Sequence, residues 1–415
     1  MLRYFSAAAM VAAICGTVLA ANWPSFRGPT GDGISQDTKL PLKWSATENV
    51  RWKTALPEGG NSSPVVWGNR IFLTQAVEKG SRRFVMCFDR ADGKLLWKQE
   101  TRFEDKESTH GDNHYCSATP VTDGTRVIAS HGSAGLVCYD FSGKELWRKD
   151  LGKLEHIWGN ASSPILYGNL CIMWCGPGAR QFLLAVDKSN GQTAWKINEP
   201  GGMKGDDKDA QSWAGSWTTP IIVKAGNHDE LILCVSEKVK GLDPHTGKER
   251  WSCSGLSKLI YTTPVHADGI LVAMSGYHGP ALAVRTGGQG DVTLTHRLWR
   301  HTEKIPQRIG SAIIVNRQVY ILNEDGLAQC FDLETGKEVR QKERLSSERS
   351  WGSLVAGAGR LYVTNHAGET LVLKSDPSFE VLAKNKIGER VLSSCAVSDG
   401  EIFIRSYQHL WCIGE

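Results

Sequence analysis

His110 and His114 stand four residues apart with Asp112 between them, a spacing that on a helix would turn two imidazoles toward one metal ion. Gly111 and the polar surroundings favour a loop instead, so no metal site is assigned. The run Lys204-Gly205-Asp206-Asp207-Lys208-Asp209 offers carboxylates to Ca²⁺, yet it lacks the twelve-residue loop pattern and its closing Glu; it reads as a solvated loop. No Gly-x-Ser-x-Gly elbow and no phosphate-binding loop occurs. No Cys-x-x-Cys-His is present for covalent haem, and no two cysteines are adjacent. What remains is a scatter of ring-bearing and cationic residues: His114, His131, Trp158, Trp217, Tyr277, His278, Arg308, Trp351 and His366. They suit a flat or anionic ligand, but no catalytic set can be placed among them. Taken singly, each is an ordinary polar loop residue facing water. Their concentration on one face, argued next, is what favours a binding site.

The elements that would position them repeat. Asp89, Gly93 and Trp97 set a cadence that returns at Asp187, Gly191, Trp195 and at Asp243, Gly247, Trp251. It is one residue shorter at Asp140, Gly143, Trp147, and Arg340 replaces the Trp after Asp332 and Gly336. The Asp can accept backbone N–H bonds in the turn it opens, and Gly allows positive φ there. The Trp starts the next strand with a large face that one unit cannot bury alone. A second signal marks each unit's first strand: Ser63-Pro64, Thr119-Pro120, Ser163-Pro164, Thr219-Pro220 and Thr263-Pro264, with weaker copies at Ser311, Ser353 and Ser394. Counted from the prolines on to Ala312, Leu354 and Ala396, the spacings are 56, 44, 56, 44, 48, 42 and 42 residues. Four short antiparallel strands per unit, with Pro at a strand's first residue, describe a propeller blade.

The eighth unit, from Ser394, has room for only three strands, while Asn49 to Thr54 reads as a fourth strand without a preceding turn. Joining the two gives an all-β, eight-bladed propeller of four-stranded antiparallel blades, closed by the N-terminal strand in the C-terminal blade. Links between blades and the hairpins between second and third strands then share the mouth of the channel. This gathers the candidate residues, with Arg390 and Asn323-Glu324-Asp325, on one face. Two links, Thr101 to Ser117 and Glu199 to Trp217, are unusually long, which marks functional loops.

The ends and composition bound the setting. Residues 1–20 have the charged start, short apolar run and small-residue exit of a signal peptide, with a cut after Ala20. Ile14 before Cys15 is too bulky for a lipid-attachment site. Residues 21–48 read as an ordered arm over the body, and 49–415 as one propeller domain. No later stretch approaches the roughly 18 apolar residues of a spanning helix. A net charge of +4, with no Lys/Arg run, argues against nucleic acid. The protein is expected to be periplasmic or secreted, and monomeric. Disulfides are allowed there, but Cys87, Cys138 and Cys330 occupy slots filled elsewhere by Ala185 and Ala283, as small buried residues would. Cys171 and Cys175 are too far apart to bond on one straight strand, at about 3.3 Å per residue.

The tandem Asp-x3-Gly-x3-Trp turns and Ser/Thr-Pro strand starts resemble the pyrroloquinoline quinone (PQQ) repeat family over nearly the whole chain from Asn49. Trp23-Pro24-Ser25-Phe26-Arg27-Gly28 and Gly276-Tyr277-His278-Gly279-Pro280 look like its exported bacterial members. The resemblance implies a girdle of docked tryptophans at Trp97, Trp147, Trp195 and Trp251, with Trp299 and Trp52 as equivalents. Two branches carry different functions. One resembles quinoprotein dehydrogenases, implying PQQ and Ca²⁺ in the funnel and oxidation of an alcohol or sugar. This chain lacks the vicinal cysteine pair of many members, and no Ca²⁺ ligand or base can be carried over by motif. The other resembles the BamB-like propeller of the outer-membrane assembly machinery, a scaffold without cofactor. The expectation is a non-catalytic binding or scaffold module with an envelope protein or glycan partner and no assigned cofactor. The alternative is the PQQ/Ca²⁺ oxidoreductase.

Overall fold

Strand-forming runs punctuated by Asp–Gly turns give the chain eight meanders arranged as a ring. The computed structural model describes residues 21–201, 214–302 and 307–415. The leader-like segment, the Lys204 to Asp209 cluster and Trp213 lie outside the described residues. Blade one comprises Val65–Trp67, Arg70–Val77, Arg82–Asp89 and Leu95–Arg102, running outward from the channel. Blades two to seven repeat it, starting at Val121–Thr122, Ile165–Tyr167, Ile221–Ala225, Val265–Ala267, Ile313–Val315 and Val355–Gly357. Blade seven keeps all four strands although it lacks the Asp–Gly–Trp turn.

Blade eight takes Ala396–Ser398, Glu401–Arg405 and His409–Ile413 from the C-terminus and Val50–Ala55 from the N-terminus. Val50 pairs with Ile413 and Trp52 with Cys412, so the ring closes within one antiparallel sheet.

The Asp–Gly–Trp cadence has a double role. Asp89, Asp140, Asp187, Asp243 and Asp332 each accept a backbone N–H two or three residues on, at 2.7–2.9 Å. Four of the tryptophans then donate their indole N–H to the next blade's turn, whereas that of Trp195 is buried without a partner among the described residues. Trp52 reaches Arg90 O, Trp97 reaches Phe141 O, Trp147 reaches Lys188 O and Trp299 reaches Leu333 O, at 2.8–3.0 Å. Gly93 lies so close to Trp52 that a Cβ would meet its ring at 2.4 Å, and φ there is +72°. Each such ring buries on the order of 150–250 Å², roughly 4–6 kcal/mol before entropy at 25 cal/mol/Å².

Trp195 lies against Gly247. Trp251 departs from the rule because blade five has Arg285 where the Asp would stand. The longer turn there sends Gly290–Asp291 back to pair in parallel with Trp251 and Ser252. Trp251 is fully buried as a result, and its N–H goes to Glu230 Oε2 at 2.9 Å.

The core lies between blades, as where Val65 and Phe72 of blade one meet Val127 and Tyr139 of blade two. The ten cysteines beyond Cys15 are buried and unpaired, with Cys171 and Cys175 on one strand. Among the described residues no helix is long and apolar enough to cross a membrane.

Candidate functional site: the channel mouth

The Ser/Thr doublets that start the blades build the channel wall. Their first member ties strands within a blade: Ser62 Oγ donates to Thr74 O (3.1 Å), Thr262 Oγ1 to Met274 O (2.8 Å) and Ser393 Oγ to Arg405 O (2.8 Å). Their second member links neighbouring blades at seven of the eight junctions, and at the junction of blades four and five Thr218 Oγ1 donates to Thr262 O at 3.0 Å. Ser63 N–H donates to Thr119 Oγ1, Thr119 to Ser163, Ser163 to Thr219, Thr263 to Ser311, Ser311 to Ser353, Ser353 to Ser394, and Ser394 back to Ser63, at 2.9–3.1 Å. This belt surrounds the axis at the bottom of a cavity of about 350 Å³. In extended chain, residues two apart share a face. The residue two before each belt position therefore also lines the cavity: Asn61, Ser117, Ala161, Trp217, Tyr261, Ile309, Trp351 and Leu392. The belt repeats evenly; the tier above does not. Small residues on blades one to three face bulky ones on blades four to eight.

The floor is the N-terminal arm. Trp23 bridges to Val66 by two backbone bonds of 2.9 Å, and Ile34 pairs with Ala356 across the ring. Between them Arg27 is buried beneath the axis, donating to Asp32 O at 2.6 Å and to Ala312 O at 2.7 Å. Burial lowers its pKa to about 10. Phe26 separates the cavity from a second hollow of about 300 Å³ below, framed partly by Pro24 and Pro29.

The long link after blade one leans over the mouth. Its foot grips Arg83, whose guanidinium meets Glu107 Oε2 at 2.5 Å and sits over Phe103 and Tyr115 at 4.7 and 5.2 Å. Glu107 Oε1 also accepts from Ser133 Oγ (2.7 Å) and Asn160 Nδ2 (3.1 Å). At its tip, Asp112 pairs with Arg390 at 2.5 Å and approaches Arg349 to 3.8 Å, on the links entering blades eight and seven. Arg349 is also paired with Glu324, which accepts the Trp351 indole N–H at 3.0 Å. The charges at the mouth thus largely satisfy one another.

The candidate residues divide by depth. Trp158, Trp217, Tyr277 and Trp351 line the cavity. Trp158, Trp217 and Tyr261 form one contiguous wall, with centroids 5.2–6.3 Å apart. Burial raises the Tyr261 pKa, keeping that ring neutral. His278 lies against Tyr277, centroids 4.6 Å apart, but outside the cavity wall. His366 sits edge-on behind Trp351 at 5.5 Å, and burial takes its pKa down to about 4. Arg308 is buried and donates weakly to Gly279 O at 3.4 Å; burial lowers its pKa to about 10. His131 is wholly buried under the long link, beside Arg83, and its pKa falls to about 3. His114 turns to Tyr407 OH at 2.9 Å, whereas His110 faces Trp351 across 6.2 Å. The two imidazoles therefore do not converge. No group of three or more metal-ligating side chains occurs among the described residues.

Tyr261 and Arg349 were not singled out from sequence; Asp112 was considered only as a metal ligand, Phe26 only within its motif, and the belt residues only as strand starts. For Tyr261 the signal was present: it precedes Thr262-Thr263-Pro264 just as Trp217 precedes Thr218-Thr219-Pro220.

Known proteins share this fold. The family model described as outer membrane protein assembly factor BamB matches two overlapping segments, residues 36–102 and 81–342. No curated protein matches the chain at the level of sequence. Among solved structures, BamB from Moraxella catarrhalis aligns with a TM-score of 0.63 at 14% identity, covering 86% of this chain and 95% of that one. A europium-containing methanol dehydrogenase aligns at 0.69 and 12% identity, covering 92% and 89%. Quinohemoprotein alcohol dehydrogenase from Comamonas testosteroni aligns at 0.69 and 12%, covering 95% and 81%. At such identities the likeness is one of fold.

Proposed function

This chain belongs to the family described as outer membrane protein assembly factor BamB, and from that premise we propose that it is an exported, non-catalytic binding module of the cell envelope. Its mouth receives an envelope protein or glycan. The observation that carries this reading is the composition of the cavity wall. Its described residues supply aromatic rings, hydroxyls and amides, but no Asp, Glu or Cys. The nearby carboxylates Asp112 and Glu324 are engaged by arginines, and His131, buried, and His366, half-buried, have their pKa values lowered to about 3 and about 4. His110 is the one imidazole among the described lining residues, and it has neither a nucleophile nor a carboxylate beside it on that wall to form a catalytic set.

PQQ with Ca²⁺ does not fit this wall. Ca²⁺ takes six to eight oxygen ligands, commonly including carboxylates. PQQ carries several carboxylates of its own, and Arg349, the one Arg or Lys lining the cavity among the described residues, is already paired with Glu324. The oxidoreductase alternative draws on the dehydrogenase fold alone. Adding PQQ and Ca²⁺ to the purified protein tests the choice. The expected result is no bound-quinone absorbance and no dye-linked oxidation of alcohols or sugars. Quinone binding with turnover would replace this reading by the oxidoreductase.

A further inference from the structure

A binding cavity declares its ligand by what its walls leave unsatisfied. Each belt hydroxyl in the hydrogen bonds above accepts a backbone N–H, and a hydroxyl still carries one donor of its own. Among the described hydrogen bonds, the hydroxyls of Ser63, Ser163, Thr219, Ser311, Ser353 and Ser394 only accept. All six line the channel. The lower wall is therefore a ring of O–H donors in search of acceptor oxygens. Asn61, Asn113 and Gln307 add amides above it.

Above the belt, the aromatic wall limits shape. A cage for a quaternary ammonium group needs rings held apart, each within about 6 Å of a cation between them. Trp158, Trp217 and Tyr261 instead touch one another, at centroid distances of 5.7, 5.2 and 6.3 Å. Trp158 and Trp217, inclined by 37°, make a shallow platform, and Tyr261 stands edge-on beside them at 80° and 78°; a platform of this kind takes a flat apolar face. Charge limits the ligand further, because Arg349 is neutralised by Glu324 and approached by Asp112. The ligand is thus uncharged, has one apolar face and carries many oxygens around its edge.

A pyranose ring meets all three conditions: its C–H face lies on aromatic rings while its hydroxyls and ring oxygen meet donors and acceptors. We infer that the channel mouth is a saccharide subsite that takes a neutral sugar unit, stacked on the Trp158–Trp217–Tyr261 wall and hydrogen-bonded by the belt. The cavity of about 350 Å³ is at the small end of ligand sites, roughly 300–1,000 Å³. That suits one or two sugar units with the rest of a glycan outside. The uneven upper tier gives the symmetric belt a direction, so the sugar enters in one orientation. This inference rests on the binding-module reading and adds the ligand class.

The test is calorimetric titration of the purified protein with glucose, N-acetylglucosamine and cellotriose, with tryptophan emission recorded in parallel. Glucuronate and a short tryptophan-containing peptide are included as competing chemistries. At least one neutral sugar is expected to bind saturably and to shift the emission. Tyr277→Ala, at a half-exposed position on the rim, should weaken it about three- to tenfold, the usual worth of one aromatic contact. Trp158→Ala should weaken it at least as much, with circular dichroism confirming the fold. Glucuronate binding more than tenfold tighter than glucose would overturn the charge argument. Binding of the peptide with no response to any sugar would overturn the saccharide assignment while leaving a binding module. Quinone binding with turnover, in the separate assay above, is the outcome that removes the underlying reading.

Discussion

Replacing Glu107 by Ala should loosen the loop over the mouth and cost the protein several kcal/mol. The Arg83 and Glu107 side chains are only 2% and 5% exposed, and they meet at 2.5 Å. Removing one partner of such a buried pair leaves an uncompensated charge, typically a loss of about 3–5 kcal/mol. Ser133 and Asn160 each lose one of two acceptors at the same time, keeping Leu154 O, which adds at most about 1 kcal/mol each. Glu343→Ala is the matched control, because its pair with Arg340 is 45% and 44% exposed and should contribute about 0–1 kcal/mol. Glu107→Gln keeps an acceptor and should fall between them. Urea denaturation measures the stability, and hydrogen exchange reports the loop. Phe103 N–H, bonded to Ser81 O, and Ser117 N–H, bonded to His114 O, should lose protection in Glu107→Ala and not in Glu343→Ala. If both variants lose the same small amount, Arg83 is not the foot of the loop.

Gly93→Ala should destabilise well beyond Gly388→Ala. Both glycines have positive φ, but a Cβ at Gly93 strikes the Trp52 ring while one at Gly388 meets nothing within 4 Å. The excess over the shared backbone strain, about 1–3 kcal/mol for overpacking, is read from paired denaturation curves and measures the docking of blade eight on blade one. Stability should also fall on acidification from about pH 7 toward pH 4. His131 and His366 have folded pKa values lowered by burial to about 3 and 4, against about 6.5 when unfolded. In that window the unfolded chain binds more protons, so falling pH favours unfolding. His131→Leu should flatten the curve of denaturation midpoint against pH.

Architecture was legible because it rests on local rules repeated many times. The Asp–Gly turn, the docked Trp and the Ser/Thr strand start each appear in several copies, and even the unpaired strand at Trp52 pointed to its partner at Cys412. The mouth was legible in part. Trp217 and Trp351 sit at positions that period-two geometry turns inward, and Trp158 and Tyr277 reach the cavity from a link and a hairpin, whereas of the histidines on equivalent hairpins His131 lies buried and His366 half-buried behind Trp351. What covers His131 is the link carrying Glu107, and the contact between that link and Arg83 joins separate strands and loops without a sequence motif. Asp112 with Arg349 and Arg390 is of the same kind. Phe26 was visible only as part of an arm, because its place under the axis depends on Trp23 and Ile34 pairing with blades one and seven.

The claim that the mouth is where this protein meets its partner is tested most directly by hydroxyl-radical footprinting in intact envelopes against the purified chain. Tyr277, 52% exposed, and Trp351 should lose reactivity in the envelope, while Leu95, Leu146 and Val339 on the outer rim stay equally reactive. Equal reactivity of Tyr277 and Trp351 in both settings, or protection confined to the outer rim, would contradict the account.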